Sequence, residues 1–214
     1  MVIDVDKAVA SDREFVNRSA TLLARAFHDY PEYVYLFPDD TTRHAKLVAL
    51  LGVMTRYCLR HGKVMASSER LESILMYLPP PARINGGDMM RSGAFWMLFK
   101  LGVHFLPRQN RIINVIVKAR TTTVPSPHAY LFLLATDPAF QKQGHATTLM
   151  WRFLEQLDAS GTACYLETSE KRNLAFYQYF GFDLIETQDV KGANITVHAL
   201  VRKGRKERGT GKLT

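Results

Sequence analysis

Hydrophobic and polar residues follow two different periods along the chain. Alternation over short runs is typical of strands with one buried face, whereas apolar residues three and four positions apart are typical of amphipathic helices. These patterns predict strands at 2–9, 63–67, 71–78, 128–135, 163–168, 183–190 and 194–201. They predict helices at about 13–28, 41–60, 143–159 and 173–180, and a longer helical stretch at 86–122.

Capping residues, prolines and glycines set the expected ends of these elements. Ser11-Asp12 is a suitable cap for the first helix, and Pro31 is expected to stop it. The helical stretch at 86–122 is expected to break near Pro107. Because strands and helices are interspersed in this order, the pattern predicts an α+β or α/β chain with a mixed sheet.

The same pattern suggests one domain with an addition. No internal repeat or interdomain linker interrupts residues 1–202, which are predicted to form a single domain. Residues 86–122 are predicted to be a helical insertion before the strand at 128–135. Residues 203–214 are predicted to be a basic, disordered tail.

Composition narrows the class of protein. The chain has 214 residues, 47% of them hydrophobic, which supports a folded core. Its formal net charge is +8, and the tail supplies half of that with five basic residues against one acidic residue. The tail has no interleaved aromatic residues, which argues against nucleic acid as a partner.

The remaining bulk features predict a cytoplasmic protein, monomeric or homodimeric, with no membrane partner. No signal peptide is recognisable, and no apolar run is long enough to span a bilayer. The apolar run at 93–106 indicates a buried or interfacial helix. Cys58 and Cys164 lack metal-type spacing and are predicted to be buried free thiols, and no metal site is predicted.

The stretch Asp137–Met150 leads from a predicted strand into a predicted helix. Such a turn directs several unpaired backbone N–H groups at one point, where the helix dipole favours an anion. Gly144 and Ala146 are small, and no acidic residue follows Asp137 in the stretch. The spacing matches neither a Walker loop nor a Rossmann glycine motif. Alone, the loop indicates either an ordinary turn or a phosphate site.

Two sequence blocks carry a family resemblance. Gln141, Gly144 and Ala146, in their context of a strand and a helix, resemble the acyl-CoA loop of the GNAT acetyltransferase superfamily. About 30 residues downstream, the segment 166–182, with Asn173, Tyr177 and Gly181, resembles the family's second block. Upstream, residues 26–40 and 78–80 resemble a branch that acylates small amines, including the puromycin acetyltransferases.

The resemblance implies the GNAT fold, α+β in class, with a mixed central sheet flanked by helices and acetyl-CoA as the acyl donor. It implies that the main chain of Leu134, Ala135 and Thr136 pairs with the pantetheine arm. The implied pyrophosphate site consists of Gln141, Lys142, Gln143, Gly144, His145, Ala146 and Thr147. Asn173 is implied to lie beside the cofactor, although it could serve only as a helix cap.

The implied chemistry is direct attack of an amine on the thioester in a ternary complex. The resemblance places Tyr177 where it would contact CoA and protonate the departing thiolate; alternatively, Tyr177 is a core aromatic residue. Tyr179 lies on a different face of the predicted helix and is expected to be structural. Glu167 is the candidate base, with a solvated or ion-paired carboxylate as its alternative. Cys58 and Cys164 are not expected to act as nucleophiles.

The acceptor side is less defined by the sequence. Glu32 and the pair Asp39-Asp40 could attract a cationic amine, although Asp39 or Asp40 could instead cap the second helix. His28, His104 and His128 have no spacing that selects one of them. Phe95, Trp96, Phe99 and Phe105 of the insertion are either a wall of the acceptor site or core. The predicted function is N-acetylation of a primary amine of a small molecule. Its alternatives are a protein or peptide N-acetyltransferase and a nonenzymatic CoA-binding protein.

Overall fold

The computed structural model describes residues 2–5, 12–81, 84–124 and 127–204. The strands are β1 Ile3–Val5, β2 Lys63–Ala66, β3 Ser73–Leu78, β4 His128–Thr136, β5 Ala163–Thr168, β6 Asp183–Asp189 and β7 Thr196–Arg202. The helices are α1 Arg13–Ala26, α2 Pro31–Leu36, α3 Asp40–His61, α4 Gly86–Met89, α5 Phe95–Leu101, α6 Leu106–Thr123, α7 His145–Ala159 and α8 Asn173–Tyr179. A π-helical turn, Met90–Ala94, joins α4 to α5, and a 3₁₀ turn, Pro138–Phe140, follows β4.

Within the described residues, the strands form one sheet in the order β1-β2-β3-β4-β5-β7-β6. Every neighbouring pair is antiparallel except β4 and β5, which run parallel. The predicted α+β class and mixed sheet flanked by helices are therefore confirmed.

The strands β4 and β5 separate after a short paired segment. Their pairing extends from His128 opposite Ala163 to Tyr130 opposite Tyr165 and then ends. On its other side, β4 stays paired with β3 as far as Thr136, with an irregularity that leaves Phe132 as an extra residue between two pairs. One edge of β4 beyond Tyr130 therefore has no strand partner among the described residues.

Apolar side chains fill both faces of the sheet. One core lies between the sheet and α1, α3 and α6, and includes Leu23, Leu47, Leu51 and Ile112. The second core lies under α7 and includes Met150 and Phe153. Alternate residues of β3 divide between them, since Ile74 and Met76 belong to the first core and Leu75 and Tyr77 to the second. This division fixes the faces on which the helices lie.

The expected end of the first helix is wrong, whereas the expected break in the insertion is present, and a proline lies close to each. Helix α1 ends at Ala26, and Pro31 does not merely stop it but begins a further helix, α2. The break in the insertion falls at Gly102, where φ is +72°, while Pro107 lies in the first turn of α6. Both prolines occupy first-turn positions, where a helix loses no hydrogen bond to the missing N–H.

Two further predictions extend beyond the described residues. The predicted strand at 2–9 is seen at Ile3–Val5, and residues 6–11 lie outside the description. Of the predicted tail, only Lys203 and Gly204 are described, and 205–214 lie outside. Among the described residues, no helix combines the length and apolar character needed to cross a membrane.

Candidate active site

Two adjoining cavities lie where β4 and β5 separate. The first, of about 540 Å³, we call the donor groove. It is lined by ten residues that the sequence assigned to cofactor binding, namely Leu134, Ala135, Thr136, Gln141, Lys142, Gly144, His145, Ala146, Thr147 and Asn173. Gln143 lines neither cavity, and its side-chain amide donates to the carbonyl of Ala139 at 3.4 Å.

The N-terminus of α7 forms one end of the donor groove. Gly144 precedes the helix with φ +85°, and no side chain caps the helix there. The amide of Thr148 donates to the carbonyl of Gly144 at 2.9 Å, so the helical bonding begins at that residue. The amides of His145, Ala146 and Thr147 precede it and form the usual set of unpaired donors at a helix start. A Cβ on Gly144 would meet no atom within 4 Å, so the space beside it is open.

Asp137 anchors the loop that precedes α7. Its Oδ2 accepts from Arg25 Nε of α1 at 3.0 Å, and its Oδ1 accepts from the amide of Ala139 at 3.1 Å. Asp137 is only 6% exposed, whereas the Arg25 side chain is 49% exposed, so the carboxylate is held in place while water still reaches the guanidinium.

The second cavity, of about 340 Å³, we call the acceptor cavity. Its walls are mostly apolar, with contributions from α2, α3, α6 and β4. Helix α6 presents a face of residues at helical spacing, namely Ile112, Ile113, Ile116, Val117 and Arg120. The charged residues lining the cavity are Glu32, Arg120 and Glu167.

The prediction that aromatic side chains of the insertion line this cavity is wrong. Phe95, Trp96 and Phe99 are 58%, 72% and 82% exposed, and none lines the cavity. Phe105 is buried, with its ring centroid 5.4 Å from that of Phe37. The insertion does wall the cavity, but mainly through aliphatic residues of α6, namely Ile112, Ile113, Ile116 and Val117.

Glu167 lines the acceptor cavity from the end of β5. The hydroxyl of Tyr130 donates to its Oε1, while its Oε2 is buried without a hydrogen-bond partner. Burial, followed by repulsion from Glu32, raises the pKa of the carboxyl to about 8, against the opposing hydrogen bond from Tyr130 and the charge of Arg120. A buried carboxyl with one free oxygen and a pKa near neutrality suits proton transfer.

Tyr177 lines the same cavity from α8. Burial, followed by the nearby Glu167, raises the pKa of its phenol, so the hydroxyl keeps its proton and can donate it. Tyr179, two residues later, is 70% exposed and lines neither cavity. The structure therefore separates the two tyrosines as the sequence suggested.

A hydrogen-bonded network joins the two cavities. Tyr30 donates to or accepts from Thr168 Oγ1 at 2.8 Å, and the amide of Ser169 donates to the Tyr30 hydroxyl at 2.8 Å. Asn173 Nδ2 donates to Thr168 Oγ1 at 3.2 Å, and Arg172, not Asn173, is the residue before α8. Asn173 therefore does not serve only as a cap. Phe27, Tyr30, Leu134 and Asn173 line both cavities.

Glu32 is held at the edge of this network. Its Oε1 accepts from Ser169 Oγ at 2.5 Å, and burial raises the pKa of its carboxyl against that hydrogen bond. The contributions of Tyr30, Tyr130 and Arg120 were not identified from the sequence. In the sequence, Tyr30 is marked by its position before Pro31 alone. Single residues that belong to no motif, such as Tyr130 and Arg120, have no spacing that would indicate a role in the site.

The other candidate residues lie away from both cavities. Asp39 caps α3 through the amide of Thr41 at 3.1 Å, and Asp40 pairs with Arg43 at 2.7 Å. Neither aspartate lines a cavity, nor do the histidines and cysteines considered from the sequence, namely His28, His104, His128, Cys58 and Cys164. Burial raises the pKa of both thiols, to about 12 for Cys164, which leaves them protonated.

Comparison with known proteins agrees with this geometry. Residues 101–182 match the family model described as Acetyltransferase (GNAT) family. A 75-residue stretch is 39% identical to the [ribosomal protein bS18]-alanine N-acetyltransferase of Haemophilus ducreyi (strain 35000HP / ATCC 700724). That match covers 34% of this chain and 51% of the relative, so the chain spans about half the length of the curated relative that it matches.

Solved structures share the whole fold at low identity. A Corynebacterium glutamicum structure, described as histone acetyltransferase HPA2 and related acetyltransferase, matches with a TM-score of 0.64 and 17% identity, covering 97% of this chain and 98% of that one. Arylalkylamine N-acetyltransferase 2 of Aedes aegypti matches with a TM-score of 0.61 and 10% identity, covering 95% and 98%. At these identities the likeness shows the fold alone.

Proposed function

We propose that the chain is a member of the GNAT acetyltransferase family, whose model residues 101–182 match, and that it transfers an acetyl group from acetyl-CoA to a primary amine of a small molecule. The observation that carries the proposal is the meeting of the donor groove and the acceptor cavity at the separation of β4 and β5, with Glu167 and Tyr177 lining the second.

The donor groove suits acetyl-CoA. The free edge of β4 at Leu134–Thr136 offers backbone groups that can pair with the amides of the pantetheine arm. The uncapped start of α7, beside the open space at Gly144, offers amides and a helix dipole to the pyrophosphate. We assign Asn173 to the pantetheine arm, since it lines both cavities.

The acceptor cavity suits a small amine with an apolar body. Glu32 and Glu167 give it two carboxyls, and its apolar walls favour a hydrocarbon or aromatic remainder. Its volume of about 340 Å³ falls at the small end of ligand pockets. These features support a small acceptor over an extended peptide.

The reaction needs orientation and two proton transfers. An ammonium acceptor gives a proton to Glu167 in its ionised form, and the free amine attacks the thioester carbonyl. The new C–N bond forms and the C–S bond breaks, and Tyr177 donates its proton to the departing thiolate sulfur. The excess proton of the amide nitrogen and the proton held by Glu167 are passed to solvent, which also returns a proton to Tyr177. No covalent enzyme intermediate is required.

The test is CoA-thiol release across a panel of primary amines with apolar bodies, with Tyr177→Phe as the variant. Tyr179→Phe is the matched control, since it removes the same hydroxyl from an exposed neighbour on the same helix. We expect amine-dependent release that falls in Tyr177→Phe and not in Tyr179→Phe. The enzyme proposal fails if CoA binds and no amine or peptide supports release.

A second candidate function is N-terminal acetylation of a protein. It is favoured by the 39% identity over 75 residues to a ribosomal protein alanine N-acetyltransferase. Peptides that begin with alanine, assayed beside the amine panel, separate the two. A higher kcat/KM for a peptide than for every small amine would assign the protein function in place of the small-molecule one.

A further inference from the structure

A cluster of exposed aromatic side chains has no role in the proposed reaction. Phe95, Trp96 and Phe99 of α5 are 58%, 72% and 82% exposed. Their rings contact one another edge to face, with centroids of Phe95 and Trp96 5.6 Å apart and of Trp96 and Phe99 6.4 Å apart. A patch formed by three large, exposed apolar side chains within five consecutive residues is typical of an interaction surface.

The segment that carries this cluster is basic. From residue 89 to residue 106 its charged residues are Arg91 and Lys100, and it has no acidic residue. Lys100 of α5 and Arg91 of the π-helical turn are exposed, the Arg91 side chain to 82%. Arg91 pairs with Asp88 at 3.1 Å, which is the acidic group nearest in sequence.

Helix α3 adds two more cations beside the cluster. Arg60 Nη1 donates to the carbonyl of Arg91 at 2.7 Å, and Arg56 Nε donates to the carbonyl of Ser92 at 2.7 Å. Both guanidinium groups contact backbone oxygens of the segment that leads into α5, so they lie at its base. We call Arg56, Arg60, Arg91, Phe95, Trp96, Phe99 and Lys100 the α5 face.

We propose that the α5 face docks on an anionic lipid surface, with the aromatic rings entering the interface and the cations binding headgroup phosphates. Tryptophan and phenylalanine flanked by lysine and arginine are the residues that hold a helix at a lipid interface without crossing it. A second copy of the chain would bring two basic faces together, and like charges oppose that contact. The proposal is independent of the acetyl transfer, since the α5 face lines neither cavity.

The test uses the full chain and vesicles of phosphatidylcholine alone or mixed equally with phosphatidylglycerol. We expect co-sedimentation with the mixed vesicles that weakens as salt is added. In a Trp151→Phe background, Trp96 is the remaining tryptophan, and its emission should shift to the blue on binding. Phe95→Ser/Trp96→Ser/Phe99→Ser should abolish sedimentation. Arg60→Gln/Arg91→Gln/Lys100→Gln should weaken it by roughly a hundredfold.

Two controls separate this face from other sources of binding. Trp151→Ser/Tyr179→Ser removes two exposed aromatic residues elsewhere and should leave sedimentation unchanged. Arg205→Gln/Lys206→Gln/Arg208→Gln/Lys212→Gln removes the charges of the tail and should retain the Trp96 shift. CoA binding should persist in the aromatic triple variant, which shows that it is folded.

Three results would overturn the proposal. One is the absence of vesicle binding, and another is equal binding to both vesicle types. The third is a dimer in sedimentation velocity that disappears in the aromatic triple variant, which would assign the face to a second copy.

Discussion

Replacing Glu167 by glutamine tests the central electrostatic feature of the acceptor cavity. Glutamine keeps the size of the side chain and keeps an oxygen for the Tyr130 hydroxyl, but it cannot ionise. In the wild type, burial raises the pKa of the Glu167 carboxyl from 4.5 to about 8. Folding therefore favours the protonated form of this group.

The sign of the pH effect follows from that shift. Below pH 4.5 both the folded and the unfolded chain carry a protonated Glu167, and its contribution to stability is fully present. As pH rises from 4.5 towards 8, the unfolded chain ionises first, so the wild type loses stability that the glutamine variant keeps. The full loss is at most about 5 kcal/mol, since each pKa unit corresponds to about 1.4 kcal/mol.

Urea denaturation at several pH values measures this difference. Between pH 5 and pH 7 the unfolding free energy of Glu167→Gln should rise relative to the wild type by roughly 2 to 3 kcal/mol. Glu69→Gln, a change in an exposed turn outside both cavities, is the control, and its difference from the wild type should stay constant. A constant difference for Glu167→Gln as well would refute the assignment of a raised pKa.

The same variant makes a kinetic prediction under the proposed function. The wild-type kcat/KM should rise with pH through an apparent pKa of about 8, because the ionised carboxyl accepts the proton. Glu167→Gln should lower kcat/KM and remove that limb of the profile. If the limb persists in Glu167→Gln, it belongs to the amine substrate, and Glu167 is not the base.

Three further changes test other parts of the site. Gly144→Glu should weaken CoA binding, measured by calorimetry, by roughly a hundredfold or more, because it places a carboxylate in the open space beside the start of α7. Gly181→Glu is the control for backbone strain, since Gly181 has φ +81° and lies outside both cavities. Tyr177→Phe should lower kcat by roughly a hundredfold with little change in Tm, and an unchanged kcat would remove Tyr177 as the acid. Asp137→Ala should lower stability by about 1 to 2 kcal/mol in thermal unfolding, because it removes the acceptor of the Ala139 amide and the partner of the half-exposed Arg25, and a loss under about 0.5 kcal/mol would contradict the anchoring role.

The donor half of the site could be predicted because its information is local. A loop that presents backbone amides needs small residues at fixed positions, and Gly144 and Ala146 satisfy this within a few residues of sequence. Ten of the residues assigned to cofactor binding line one groove, although that groove also depends on the separation of β4 and β5. The separation has no sequence signal of its own, since β4 continues past Tyr130 as the apolar run at residues 131–135.

The acceptor half could not be predicted because it depends on which face of the insertion turns inward. Phe95 and Phe99 in α5 have helical spacing, and so do Ile112 and Ile116 in α6. Helical periodicity identifies a row of apolar residues on one face of a helix, but it does not identify the part of the protein that packs against that face. The structure decides in favour of α6, since the residues that line the cavity come from that helix, while the aromatic stripe of α5 is left exposed.

The placement of charge in the acceptor cavity fixes how an acceptor amine would lie there. The carboxyl groups that line it, Glu32 and Glu167, come from α2 and β5, whereas the insertion contributes mainly apolar side chains, with Gln109 and Arg120. An ammonium group is attracted to the two carboxyls when they are ionised, and Arg120, 5.0 Å from the ring of Tyr130, offsets part of that attraction. The amine end therefore faces Glu32 and Glu167. That is also where the donor groove meets the cavity, at Leu134 and Asn173. The apolar body of the acceptor then lies against Ile112, Ile116 and their neighbours, so changes on α6 should alter which amines are accepted and leave CoA binding intact.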